Sequence, residues 1–115
     1  MAGTLWIVGT PIGNLADLSE RARTTLASVD LVVAEDTRRT GRLLQHARVD
    51  VRLRSLFEAN ERDRTPSIVR ELVAGRNVAL VSDGGMPLVS DPGYRLVTAA
   101  IDAGVDVRTA PGPSA

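Results

Sequence analysis

Residues 78–81 read Val-Ala-Leu-Val, a run without a polar side chain that stops at Ser82-Asp83-Gly84-Gly85. Such a run suits a strand buried inside a core, and the abrupt Ser, Asp, Gly and Pro chemistry after it marks a loop. The pattern recurs. Residues 5–8 (LWIV) break at Gly9-Thr10-Pro11-Ile12-Gly13-Asn14, and residues 31–34 (LVVA) break at Glu35-Asp36-Thr37-Arg38-Arg39. Between the runs lie amphipathic segments. Asp17 stands three residues before Glu20, the spacing of a capping box, and opens a helix whose stripe is Ala22, Leu26 and Val29.

A second helix is expected over 40–47, with Leu43 and Leu44 facing inward. Residues 51–56 alternate Val51, Leu53 and Ser55 against Arg52 and Arg54, the pattern of a less buried edge strand. After the polar stretch 58–64, Thr65-Pro66 reads as an N-cap with proline at the first helical position. Gly75 closes that helix behind Ile68, Val69, Leu72 and Val73. A fourth helix, 93–103, carries Leu96, Val97, Ala100 and Ile101 on one face. It ends at Gly104, and 105–108 form a fifth strand. Strands separated by helices imply an α/β fold: an open, mostly parallel five-stranded sheet with helices on both faces. The 115 residues suit one domain. The chain stops after Pro111-Gly112-Pro113 with no helix to cover the fifth strand, the expectation for a domain boundary.

Missing residue types exclude whole chemistries. With no Cys there is no thiolate zinc site or thiol nucleophile, and with no Lys there is no P-loop lysine or Schiff base. His46 is the single histidine, and its place late in a helix suits a favourable charge at a helix C-terminus. All 14 basic residues are arginine, matched by 14 acids, so the chain lacks the positive excess of a general nucleic-acid binder. No apolar run approaches the roughly 18 residues of a membrane span, and no signal segment opens the chain, so a soluble, cytoplasmic protein is expected.

In an open parallel sheet, ligands bind outside the carboxyl ends of the strands. The special residues fall in those loops: 9–14, 35–39, 82–93 and 111–115. Four loops on one edge argue for a site more strongly than the turn chemistry of any one of them. The first loop is not a dinucleotide fingerprint, since Pro11 lies between its two glycines and removes a backbone donor. In the second, Asp36 either complements a helix N-terminus or works on a hydroxyl while Arg38 holds a phosphate. Ser82-Asp83 belongs to the strand end, whereas Ser90-Asp91 precedes Pro92-Gly93 and suits a helix cap. Trp6, Phe57 and Tyr94 are too scattered for a base-stacking platform and suit core or rim packing.

Four strings, IVGTPIGNLADLS (7–19), AEDTRRTGRLL (34–44), ALVSDGGMPLVSDPGYRLV (79–97) and PGPSA (111–115), resemble the tetrapyrrole methylase family of class III S-adenosylmethionine methyltransferases. They are similar in particular to its branch that methylates a cytidine 2′-hydroxyl in small-subunit ribosomal RNA. The resemblance implies a two-domain enzyme with S-adenosylmethionine folded in the cleft between the domains. Residues 1–115 would be the N-terminal domain, inactive alone, of a protein that is usually a homodimer. It further implies a cofactor site built from Thr10, Pro11 and Ile12, from Gly84, Gly85, Met86, Pro87 and Val89, and from Ser114 and Ala115, with no metal. Met86 stands where most relatives carry Thr, Gly84 where they carry Ala, and Arg39 where many carry His. Asp36 or Asp83 would take the hydroxyl proton, and Arg38, Arg39 and Arg42 would hold RNA phosphates. The alternatives are a precorrin-type methylase, which usually shows GxGxGD and GDP-type loops absent here, and a non-catalytic RNA- or nucleotide-binding module.

Overall fold

The three runs without polar residues all become inner strands. In a computed structural model, which describes residues 1–10, 18–82 and 93–110, the order of elements is β1 (Thr4–Gly9), α1 (Glu20–Ser28), β2 (Leu31–Ala34), α2 (Thr37–His46), β3 (Arg52–Ser55), α3 (Glu61–Val73), β4 (Val78–Ser82), α4 (Gly93–Asp102) and β5 (Asp106–Ala110). The strands lie in the order β3-β2-β4-β1-β5, and every pairing is parallel, so the sheet expected to be mostly parallel is wholly so. The half-exposed, Arg-rich strand β3 takes one edge, as its alternation predicts.

Side chains of a strand point alternately to opposite faces, and each face has its own pair of helices. Leu5, Ile7, Leu31, Val33, Val78 and Leu80 pack with Ile68 and Leu72 of α3 and Leu96, Val97 and Ala100 of α4. Val8, Val32, Ala34, Ala79 and Val81 pack with Ala22 and Leu26 of α1 and Leu44 of α2. Both faces are dry, which is why β2 and β4 can be apolar at every position that faces the core.

The helix termini depart from the sequence reading in instructive ways. Ser19 rather than Asp17 caps α1, its Oγ accepting from Ala22 N at 3.0 Å; Asp17 lies outside the described residues. Helix α2 starts at Thr37, three residues before the expected position, because Asp36 caps it. Thr65-Pro66 does not start α3. A turn at Phe57, whose carbonyl accepts from Asn60 N and Glu61 N, launches the helix earlier and leaves Pro66 inside it. Pro66 offers no N–H to the Arg62 carbonyl, but both residues are exposed, so water can take that acceptor. Val73 and Ile101, read as core-facing, are exposed at 53% and 58%. The proposed cap at Ser90-Asp91 lies outside the described residues.

Helices α2, α3 and α4 end alike. The residue after the C-cap donates three positions back and the next donates five back: Gly75 N to Leu72 O with Arg76 N to Glu71 O, and Gly104 N to Ile101 O with Val105 N to Ala100 O. At α2 the same pair is Arg48 N to Gln45 O and Val49 N to Leu44 O. This closure needs a left-handed residue. Gly75 and Gly104 adopt it freely at φ 104° and 81°, but at α2 the position is held by Arg48 at φ 58°.

The amino edge of the sheet is pinned by Asn77. Its Oδ1 accepts from Thr4 N, its carbonyl from Asp30 N, and its N–H donates to Asp30 Oδ2, each at 2.8–2.9 Å. One residue thus joins the starts of β1, β2 and β4. Next to it, Gly3 N donates to Leu72 O at 2.8 Å, and a Cβ on Gly3 would fall 1.8 Å from the Arg76 carbonyl oxygen.

Two substitutions should therefore move stability in opposite directions. Gly3→Ala forces backbone apart and should cost at least about 1–3 kcal/mol, the range for overpacking. Arg48→Gly removes the left-handed penalty and should gain about 1 kcal/mol. Urea midpoints at constant slope read both effects; an Arg48→Gly protein no more stable than the parent would contradict the second.

Candidate functional site

Parallel pairing puts all five strand ends at one edge, and strand order sorts the loops there into two groups. Gly9 of β1 lies opposite Ser82 of β4, and Val8 opposite Ala110 of β5. Segments 11–17, 83–92 and 111–115 therefore leave from adjacent, level strand ends. Thr10, the residue that follows β1, is buried at 7% exposure. The remaining residues expected around a cofactor, Pro11, Ile12, Gly84, Gly85, Met86, Pro87, Val89, Ser114 and Ala115, lie outside the described residues, as does Asp83. The residues that close these strands, Gly9 with Thr10, Ser82 and Ala110, are small and carry no charge.

Across β4, the ends of β2 and β3 have a different character. There Glu35, Asp36, Thr37, Arg38, Arg42, Ser55 and Phe57 line a groove of about 690 Å³. Arg38 and Arg42 are four residues apart on α2, so they share a helix face. Both are exposed, and neither side chain is engaged by an acid among the described residues. Arg39, one position on, does not line the groove. The structure thus brings together two of the three arginines expected to hold phosphate.

Asp36 is the cap of α2: its Oδ1 accepts from Arg38 N at 3.0 Å and Arg39 N at 3.1 Å. The helix-terminus role and a place at the groove, weighed as alternatives from sequence, coincide in this one residue. Its Oδ2 makes no hydrogen bond among the described residues. The cap also holds the carboxylate in place beside Arg38.

The far wall of the groove is the turn after β3, and its hydrogen bonds leave it little freedom. Phe57 N donates to Asn60 Oδ1 at 2.8 Å; an amide N–H can only donate, so this bond fixes the orientation of the Asn60 side chain. Asn60 Nδ2 then donates to Ser55 Oγ at 3.2 Å, and Arg64 Nη1 donates to the same oxygen at 2.6 Å and to the Ser55 carbonyl at 2.7 Å. With both lone pairs of Ser55 Oγ engaged, its O–H is left as a donor. Phe57, read from sequence as packing, is 40% exposed on this fixed turn. No periodic signal marks it, since its position depends on a polar clamp rather than on an apolar face.

Adjacent to Asn60, Glu61 is buried at 9% exposure and reaches from the start of α3 to the start of α4. Its Oε2 accepts from Arg95 N at 3.0 Å, and its Oε1 lies 3.8 Å from Arg95 Nε. A carboxylate on one helix thereby satisfies a free N–H in the first turn of another, where the helix dipole favours negative charge. His46 occupies the last turn of α2, as expected. Trp6 is half-buried, with the Arg108 guanidinium 6.0 Å from its ring centre. Among the described residues no helix is long and apolar enough to cross a membrane.

Comparison with known proteins matches residues 4–115 to the family described as Tetrapyrrole (Corrin/Porphyrin) Methylases. A protein named Ribosomal RNA small subunit methyltransferase I from Escherichia coli O157:H7 is 51% identical over 113 residues, covering 98% of this chain and 40% of that protein. Proteins of the same name from Vibrio cholerae serotype O1 and Synechocystis sp. are 50% and 49% identical, again with 40% of their length covered. The chain thus spans about two-fifths of these curated relatives. Among solved structures, a uroporphyrin-III-C-methyltransferase from Thermus thermophilus superposes with a TM-score of 0.73 at 24% identity, covering 97% of this chain and 48% of that one. A diphthine synthase superposes with a TM-score of 0.74 at 19% identity, covering 97% and 45%. At these identities the two structures establish the fold.

Removing the Glu61 carboxylate should loosen the start of α4. Glu61→Ala, which leaves Arg95 N without its acceptor, should cost about 1–3 kcal/mol, and Glu61→Gln, which keeps an acceptor, should cost less. Amide exchange at Arg95 should accelerate in the alanine variant before global unfolding does. Unchanged exchange there would show that the cap contributes nothing.

Proposed function

The chain belongs to the tetrapyrrole methylase family, and from that membership we propose that it supplies the N-terminal α/β domain of a two-domain enzyme that methylates the 2′-hydroxyl of a cytidine in small-subunit ribosomal RNA, with S-adenosylmethionine as methyl donor. The observation that carries the proposal is the near-half identity, over almost the whole chain, to proteins named for that RNA in three bacteria. The protein would act in the cytoplasm as a homodimer.

The character of the two loop groups supports this reading. When bound, S-adenosylmethionine presents a methyl group on a positively charged sulfur. An edge closed by Gly9, Thr10, Ser82 and Ala110 offers no cation to repel that charge and room for close backbone approach. Pro11 and Ile12, residues 84–87 with Val89, and Ser114 with Ala115 are the proposed cofactor contacts. Residues 84–87 follow β4 in the sequence, and β4 pairs with β1. Transfer to oxygen is an in-line displacement in which the sulfonium charge is lost, so alignment and exclusion of water matter more than a strong acid.

The arginine-bearing groove across β4 is the proposed RNA side. Arg38 and Arg42 hold the backbone phosphates, with Arg39 a flanking contact. Asp36 or Asp83 accepts the ribose proton; Asp36 has its Oδ1 committed to α2 and would use Oδ2. A 2′-hydroxyl is a weak nucleophile and gains from such a base.

Calorimetric titration of the two-domain protein with S-adenosylmethionine and its transfer of labelled methyl to small-subunit RNA test the enzyme reading, and the absence of both would refute it. The RNA assignment has its own readout. Arg38→Gln and Arg42→Gln should each reduce the slope of log affinity against log salt by about 0.7, the loss of one single-strand phosphate contact. A variant with the parental slope would remove that arginine from the interface.

A further inference from the structure

Phe57 combines three properties. Its ring is 40% exposed, its backbone is clamped by Asn60, and it lines a groove otherwise made of charged and hydroxyl side chains. A ring that only filled space would gain by turning into the core. This one sits on a turn that Asn60 and Arg64 hold through four bonds of 2.6–3.2 Å, so the backbone that carries it is fixed beside the groove. The groove also rules on the kind of partner. An interface anchor for another protein ordinarily sits in a core depleted of charged residues. Around Phe57 stand Glu35, Asp36, Arg38, Arg42 and the Ser55 hydroxyl.

An aromatic face beside two guanidinium groups that no acid engages among the described residues matches the repeating chemistry of a single-stranded nucleic acid, which alternates a flat base with a phosphate. We propose that Phe57 stacks on an unpaired base of the RNA, with Arg38 and Arg42 on the neighbouring phosphates and the Ser55 O–H donating to the same nucleotide. This rests on the RNA reading above and adds to it a base-holding subsite, built by the turn between β3 and α3. The Ser55 donor is available because Asn60 and Arg64 occupy its acceptor positions. Stacking by itself does not select a base, since every base has a π face; it fixes one nucleotide while the groove arginines follow the strand.

Anisotropy of a labelled oligocytidylate, followed from about 50 to about 200 mM salt, separates stacking from charge. Phe57→Leu should weaken binding about tenfold at every salt concentration with the slope unchanged, and Phe57→Trp should restore it or bind more tightly. An abasic ribose-phosphate strand of the same length should not distinguish Phe57→Leu from the parent. The subsite is overturned if Phe57→Leu binds the oligomer like the parent, or if it weakens base-containing and abasic strands alike. A shift in sedimentation of Phe57→Leu from the parental oligomeric state would also overturn it, in favour of a protein contact. A parent that methylates RNA while Phe57→Leu is indistinguishable from it sinks this inference alone. A parent that binds neither RNA nor S-adenosylmethionine sinks the function on which it rests.

Discussion

Strand β4 pairs on both sides, with β1 and with β2, and the positions of the carboxyl-edge loops follow from that pairing. A strand with two parallel neighbours and a helix layer on each face cannot shift register by one residue without turning its core side chains to the wrong layer. Val78 and Leu80 belong to one core, Ala79 and Val81 to the other, so the register is specified twice over. Asn77 then anchors the opposite end. With the starts of β1, β2 and β4 joined through one side chain and its backbone, the lengths of these strands determine where their loops emerge.

The insertion of β4 between β1 and β2 also divides the edge electrostatically. On one side the strands end in small neutral residues; on the other, the segment after β2 supplies two acids and α2 two arginines around a groove. A sulfonium ligand and a polyanion place opposite demands on their surroundings, and a single pocket lined by arginine would serve one at the expense of the other. On the proposed function, separating the two by the width of a strand would let each be met locally. The equal totals of acids and arginines therefore say little about binding, because what matters is where among the loops the charges fall.

The strands were legible in the sequence wherever burial on both faces forced an unbroken apolar run, as at β2 and β4. The edge position of β3 was equally legible from its alternating arginines. Helix starts were harder. Thr65-Pro66 carries a strong local signal, but the Phe57 turn forms a helix start five residues upstream and Pro66 is tolerated on an exposed face. Val73 and Ile101 fit an apolar stripe by period yet are exposed, each one position beyond a buried residue, Leu72 and Ala100. At the site, Arg38, Arg39 and Arg42 came together from the family resemblance, and the separation of Arg39 from the other two depended on α2 beginning at Thr37. Phe57 was not legible at all. What marks it is a network of side-chain to backbone bonds, for which Asn, Ser and Arg at those positions are ordinary loop composition.

That network gives α3 a role beyond covering the sheet. Asn60 and Glu61 are consecutive, and they act in different directions. Asn60 fixes the turn that carries Ser55 and Phe57, while Glu61 accepts from Arg95 N at the start of the helix that follows segment 83–92. The wall of the groove and the anchor of the segment leaving β4 are thus held by adjacent residues at one helix start. Neither needs the other for its own bonds, so each can be tested alone. Their shared backbone nevertheless means that displacing the N-terminus of α3 would displace both. On the proposed in-line transfer, where a small misplacement of the acceptor oxygen is costly, a common reference point for the two substrates would be a physical reason for α3 to follow Asn60 rather than the stronger local signal of Thr65-Pro66.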